Sequence, residues 1–117
     1  MAIKGLEALV LGGGIGGLTA ALCLDRAGAS VRVIEQAPEL REVGAGLQIS
    51  PNGLCVLDAL GLGDALRRVA LRAEAVQLID YTGRAVVRLP LTAPGQGAYL
   101  LCHRADLLAV LTDALGE

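Results

Sequence analysis

The chain has 117 residues, 54% of them apolar and 19% charged, and a formal net charge of −2. That length bounds it to one domain with a mainly aliphatic core, and the apolar excess excludes a disordered tail. Phe and Trp are absent, Tyr81 and Tyr99 are the only aromatics, and the one basic run is Arg67, Arg68 and Arg72. Nucleic-acid binding through stacked bases or a basic stripe is therefore not expected.

Residues 6–11, LEALVL, form a short apolar run that stops at glycines, as a buried parallel strand does. Residues 16–27 turn helical, with Leu18, Leu22 and nearby alanines on one face and Gly28 in the left-handed position that ends the helix. VRVIE at 31–35 is a second β-branched strand, so the opening is a βαβ unit. A polar, glycine-bearing loop follows, then an extended segment at 47–49. Ser50-Pro51 reads as a helix start, the serine side chain capping and the proline at the first helical position. Leu54, Leu57 and Leu60 supply that helix's buried face and Gly61 ends it, with a second short helix over 63–70.

The period then changes. Residues 75–80 and 84–89 are β-rich and joined by Tyr81-Thr82-Gly83, which predicts a hairpin. Residues 98–101 are extended, and 104–115 are helical, with Leu107, Leu108, Leu111 and Leu115 along one side. A two-stranded start to a parallel sheet leaves its edges open, which suggests a fragment of a larger domain. Arg67, Arg68 and Arg72, near Asp64 and Glu74, read as a solvated helix face. Cys23, Cys55 and Cys102 lie in apolar settings with neither metal-pair nor disulfide spacing. They are expected to be small buried hydrophobes in a reducing compartment. No run of about eighteen uncharged apolar residues is present to span a bilayer, so a cytoplasmic protein with no membrane contact is expected.

The chemistry lies in LVLGGGIGGLTAALCLDRAGASVRVIE. Gly12, Gly14 and Gly17 satisfy G-x-G-x-x-G. The first allows the tight turn out of the strand, the second lets backbone approach a pyrophosphate, and the third lets helix and sheet pack closely. The pyrophosphate would lie at the helix N-terminus, where unpaired N–H groups and the helix dipole favour negative charge. Glu35 follows Gly17 by 18 residues and closes the second strand, where its carboxylate can accept hydrogen bonds from ribose hydroxyls and repel a 2′-phosphate. These residues alone leave NAD and FAD open, since both carry the same ADP half.

The wider sequence resembles a known family. GGGIGGLTAALCLDRAG, then VIEQAPELREVGAGLQISPNGLCVLDALGLGDAL, and CHRADLLAVL near the end look like the single-component FAD-dependent aromatic-ring hydroxylases of the salicylate and hydroxybenzoate hydroxylase type. The resemblance covers almost the whole chain. It implies an α/β fold: an incomplete Rossmann-like FAD-binding βαβ domain over 1–117, with the beginning of a substrate-side β-sheet at about 75–100. By this resemblance Gly12, Gly14 and Gly17, with the Ile15 and Gly16 backbone, hold the FAD pyrophosphate. Glu35 takes the adenosine ribose, and Gln36 lies beside the adenine end. Arg41 and Ala45 belong to a loop passing the ribityl chain. Arg104, in HRADL, reaches the cofactor from a later helix.

A guanidinium suits phosphate, and a cation at a helix N-terminus is otherwise unfavourable; the bland reading of Arg104 pairs it with Asp106 or another acid. Arg41 has Glu39 and Glu42 as equally simple partners. His103, the only histidine, sits in no triad or metal spacing and reads as structural, and Ser50 lacks a neighbouring base. No catalytic side chain and no metal ligand is expected. The family's central Asp-Gly segment has no counterpart, since no Asp here is followed by Gly.

The resemblance further implies a monooxygenase in which NADH or NADPH serves as transient co-substrate and O2 is consumed on a small aromatic substrate, and it leaves room for a homodimer. This stretch alone would be inactive. Other FAD-dependent enzymes of the fold, of epoxidase or reductase type, and a non-catalytic nucleotide-binding fragment are the alternatives. Amine-oxidase-type flavoproteins fit less well, because they carry Gly-Gly-Arg where this chain has Val43-Gly44-Ala45-Gly46.

Overall fold

The computed structural model of the chain describes residues 3–38 and 45–116. In chain order the elements are β1 (Glu7–Leu11), α1 (Ile15–Arg26), β2 (Ser30–Ile34), β3 (Gly46–Ile49), α2 (Pro51–Ala59), α3 (Gly63–Val69), β4 (Leu71–Arg72), β5 (Ala75–Ile79), β6 (Ala85–Pro90), β7 (Leu100–His103) and α4 (Arg104–Leu115). They divide into two compact units, Met1–Ala45 with His103–Glu117, and Gly46–Cys102.

In the first unit β1 and β2 pair in parallel, Glu7 opposite Ser30 through Leu11 opposite Ile34. Side chains alternate across the pleat, so Ala8, Val10, Val31 and Val33 share one half-buried face. The helix α1 packs against both strands and against α4. Leu18, Ala21 and Leu22 of α1, and Leu107, Leu108 and Leu111 of α4, form the aliphatic core expected from their 3–4 residue spacing. The opposite sheet face leaves Leu9, Leu11 and Ile34 exposed. Gly28 lies just past α1 with φ +93°, in the left-handed position expected of it.

In the second unit, α2 begins with Pro51 at its first position, and Leu54, Leu57, Leu60, Leu62 and Leu66 are buried along α2 and α3. A three-stranded sheet runs β3–β7–β4, with β4 and β7 antiparallel. The hairpin β5–β6 forms a separate antiparallel pair, Val76 opposite Leu89 and Leu78 opposite Val87. Gly83 takes φ +86° at its tip, and the Asp80 carboxylate accepts from the Thr82 and Arg84 amides at 2.9 and 3.0 Å.

Several local expectations are corrected. Ser50 stands at the N-cap of α2 but makes no capping bond; its hydroxyl donates to the Asn52 side-chain oxygen. Cys23 and Cys55 are exposed and only Cys102 is buried. Each exposed cysteine follows a buried leucine, Leu22 or Leu54, and one residue is a rotation of about 100° round the helix, enough to turn it outward. The extended segment near 98–101 is the strand Leu100–His103. Arg72 lies on β4 rather than on a helix, and Arg67 is engaged by Asp58 at 2.7 and 2.8 Å and by Asp64 at 3.2 Å.

Candidate functional site

The glycine turn joins β1 to α1. Gly12 donates to the Ile34 carbonyl at 2.7 Å, one rung past the strand ladder, and then turns the chain with φ +110°, a region costly for any residue with a Cβ. Gly17 lies on the helix face pressed against that turn. A Cβ built there would overlap the Gly12 carbonyl oxygen and stand 3.4 Å from Val10 Cγ1. This is the close helix–strand approach expected of the third glycine. Among the described residues, a Cβ at Gly14 or Gly16 meets nothing within 4 Å beyond its chain neighbours and its own helix backbone. Protein packing therefore does not demand glycine at those two positions, whereas close approach by a ligand would.

The first turn of α1 has neither a side-chain cap nor an acidic residue. Its first main-chain bond runs from Leu18 N–H to Gly14 O at 2.9 Å, and the Ile15, Gly16 and Gly17 amides meet no acceptor among the described residues. Four such groups open every helix, and they favour an anion. The helix start therefore presents donors that an anion would satisfy.

Glu35 follows β2 directly. Its Oε2 accepts from Gly13 N–H at 2.6 Å and its Oε1 from Ala37 N–H at 3.1 Å. The Ala37 amide foremost, then the Gly13 amide, hold the carboxyl below the ordinary glutamate value against a smaller opposing effect of desolvation. The acid is thus ionised and brought onto the glycine turn, with acceptor capacity left for hydroxyl donors. It also walls an apolar cleft of about 300 Å³ with Leu18, Val33, Thr112 and Leu115.

The other expected site residues are placed as follows. Ile15 opens α1, and Gln36 is exposed beside Glu35. Ala45 accepts from Arg104 N–H through its carbonyl at 2.9 Å, which brings these two positions together at the start of α4. Arg104 is half-buried, and His103 occupies the N-cap position with no capping bond from its side chain. Arg41 lies outside the described residues. Sequence reasoning missed Gly13 and Ala37, whose amides grip the acid; main-chain donors leave no mark in residue type. Among the described residues no cluster of His, Cys, Asp or Glu could hold a metal ion, and no helix is long and apolar enough to cross a membrane.

Comparison with known proteins gives the family. The FAD binding domain family matches residues 5–117. The chain is similar to a 3-hydroxybenzoate 6-hydroxylase of Polaromonas naphthalenivorans, 42% identical over 96% of this chain and 29% of the relative. It is also 42% identical to a 3-amino-4-hydroxybenzoate 2-monooxygenase of Streptomyces cremeus, over 98% of this chain and 30% of the relative. Among solved structures, it is similar to the tetrameric form of 2-methyl-3-hydroxypyridine-5-carboxylic acid oxygenase, with a TM-score of 0.87 and 30% identity over 96% of this chain and 29% of that one. Klebsiella pneumoniae HpxO, solved with FAD and uric acid, gives a TM-score of 0.82 at 28% identity over 95% of this chain and 29% of that one. The chain spans about three-tenths of the length of the relatives it matches. With the family match running over nearly all its residues, the chain belongs to the FAD binding domain family.

Proposed function

We propose that this chain is the N-terminal FAD-binding portion of a flavoprotein monooxygenase that hydroxylates a small aromatic substrate, with O2 and with NADH or NADPH as transient co-substrate. The observation that carries the dinucleotide reading is the Glu35 carboxylate seated on the glycine turn beside an uncapped helix start. The names of the relatives, hydroxylases and monooxygenases of substituted benzoates, support the reaction class.

In this reading Gly12, Gly14, Ile15, Gly16 and Gly17 present backbone to the diphosphate, and Glu35 accepts from the ribose hydroxyls while Gln36 borders the adenine. Ala45 and Arg41 flank the ribityl chain, and Arg104 adds a guanidinium toward the phosphates. FAD, when bound, supplies the redox and oxygen-transfer chemistry; the chain's own residues bind it, orient it and exclude the 2′-phosphorylated nucleotide. No side chain here is assigned a catalytic role. Residues 75–100, with the β5–β6 hairpin, are read as the start of the substrate-side sheet. Exposed thiols at Cys23 and Cys55 suit a reducing cytoplasm, and the proposal leaves room for a homodimer.

The test is a titration of the chain with FAD, read by quenching of flavin fluorescence. FAD is expected to bind, ADP to displace it, and 2′-phospho-ADP to compete at least tenfold less well, about the effect of one lost charge-assisted hydrogen bond. Binding of NAD with no affinity for FAD would overturn the proposal.

A further inference from the structure

We infer that Glu35 has a second task, as a latch that fixes the glycine turn of the unliganded protein by tying Gly13 to the exit of β2. This goes beyond ligand binding and holds whichever dinucleotide the turn accepts.

The ladder between β1 and β2 ends in a main-chain rung from Gly12 N–H to Ile34 O at 2.7 Å. The next donor, Gly13 N–H, has left the strand and faces no carbonyl; the Glu35 carboxylate meets it across 22 residues of sequence. Gly13 is buried, so without that oxygen its amide would be a buried donor lacking an acceptor. The second carboxylate oxygen holds Ala37 N–H, so one side chain bridges the turn and the β2 exit.

Three consecutive glycines, Gly12 to Gly14, have more backbone freedom to lose than any other tripeptide, and a turn made of them needs an external tie to hold one shape. The amides are thereby divided. Gly13 serves the protein's own acid, and those of Ile15, Gly16 and Gly17 stay available. Glu35 is in this sense a positioning residue: it assembles the diphosphate cradle before a ligand arrives, which lowers the ordering cost of binding.

The experiment measures amide hydrogen exchange by NMR in the unliganded 117-residue chain, native, Glu35→Gln and Glu35→Ala. Leu66, whose N–H donates to the Leu62 carbonyl at 3.0 Å, serves as the remote reference. In Glu35→Ala, exchange at Gly13 is expected to accelerate about tenfold or more with Leu66 unchanged, the loss of one hydrogen bond to a charged group. Glutamine offers a single acceptor oxygen, so Glu35→Gln should release at least one of Gly13 and Ala37. If Glu35→Ala fails to fold, so that Leu66 accelerates too, Glu35→Gln decides by the same criterion. Native-like exchange at Gly13 in a folded Glu35→Ala chain, or at both amides in Glu35→Gln, would overturn the latch. No cofactor is present in the measurement, so its outcome is separate from that of the FAD titration.

Discussion

Replacing Gly17 and Gly16 separately with alanine should move stability in opposite directions, although the two are neighbours in one helix. At Gly17 the new methyl meets the Gly12 carbonyl oxygen, a backbone atom at the head of the turn that cannot rotate aside. Overpacking of this kind costs about 1–3 kcal/mol, and a main-chain obstacle places it toward the upper end. Alanine returns about 0.5–1 kcal/mol through helix propensity, leaving a net loss of roughly 1–2 kcal/mol. At Gly16 the new methyl meets, among the described residues, nothing within 4 Å beyond its chain neighbours and its own helix backbone. Gly16→Ala should therefore gain a few tenths to about 1 kcal/mol. If the start of α1 holds the diphosphate as proposed, a methyl at this position would crowd it, so FAD affinity should fall while stability rises. Thermal unfolding followed by circular dichroism resolves this, at roughly 4 °C per kcal/mol for a chain of this size. Equal midpoints for Gly17→Ala and the native chain, or a fall in both variants, would refute the assignment of Gly17 to packing and the view that packing does not demand glycine at position 16.

Glu35 should also shape acid stability. Its carboxyl is lowered by the Ala37 and Gly13 amides, so its contribution is fully present above the unfolded glutamate value of about 4.3 and is lost as pH falls through the lower folded value. The urea midpoints of native and Glu35→Gln chains should accordingly differ at pH ~6 and converge at the acid end; a constant gap would contradict the sign. Leu111 is fully buried on α4, and Leu111→Ala should cost about 2–5 kcal/mol by equilibrium urea unfolding, with a loss below about 1 kcal/mol speaking against the α1–α4 core.

The βαβ opening and α4 were legible in the sequence because independent signals coincide there. An apolar run stops at Gly12, Gly28 ends the helix, and Leu107, Leu108 and Leu111 recur at helical spacing. The strand β4 was not legible: Leu71 and Arg72 are too few to show a period and are extended only because they pair with Leu101 and Leu100. The outward turn of Cys23 and Cys55 is set by helix phase, which apolar neighbours in sequence conceal. Glu35 could be placed near the turn from its distance to Gly17, yet its grip on two amides could not. Residue type carries no record of which main-chain N–H is left without a carbonyl.

The bare start of α1 has a price for the fold. An aspartate or serine at position 14 would satisfy one of the orphan amides and strengthen the helix, a change that a search for thermostability would favour. If the turn holds the diphosphate as proposed, it would also install a permanent side chain where the cofactor docks. On that proposal, heat selection alone would run toward an apoprotein that no longer loads.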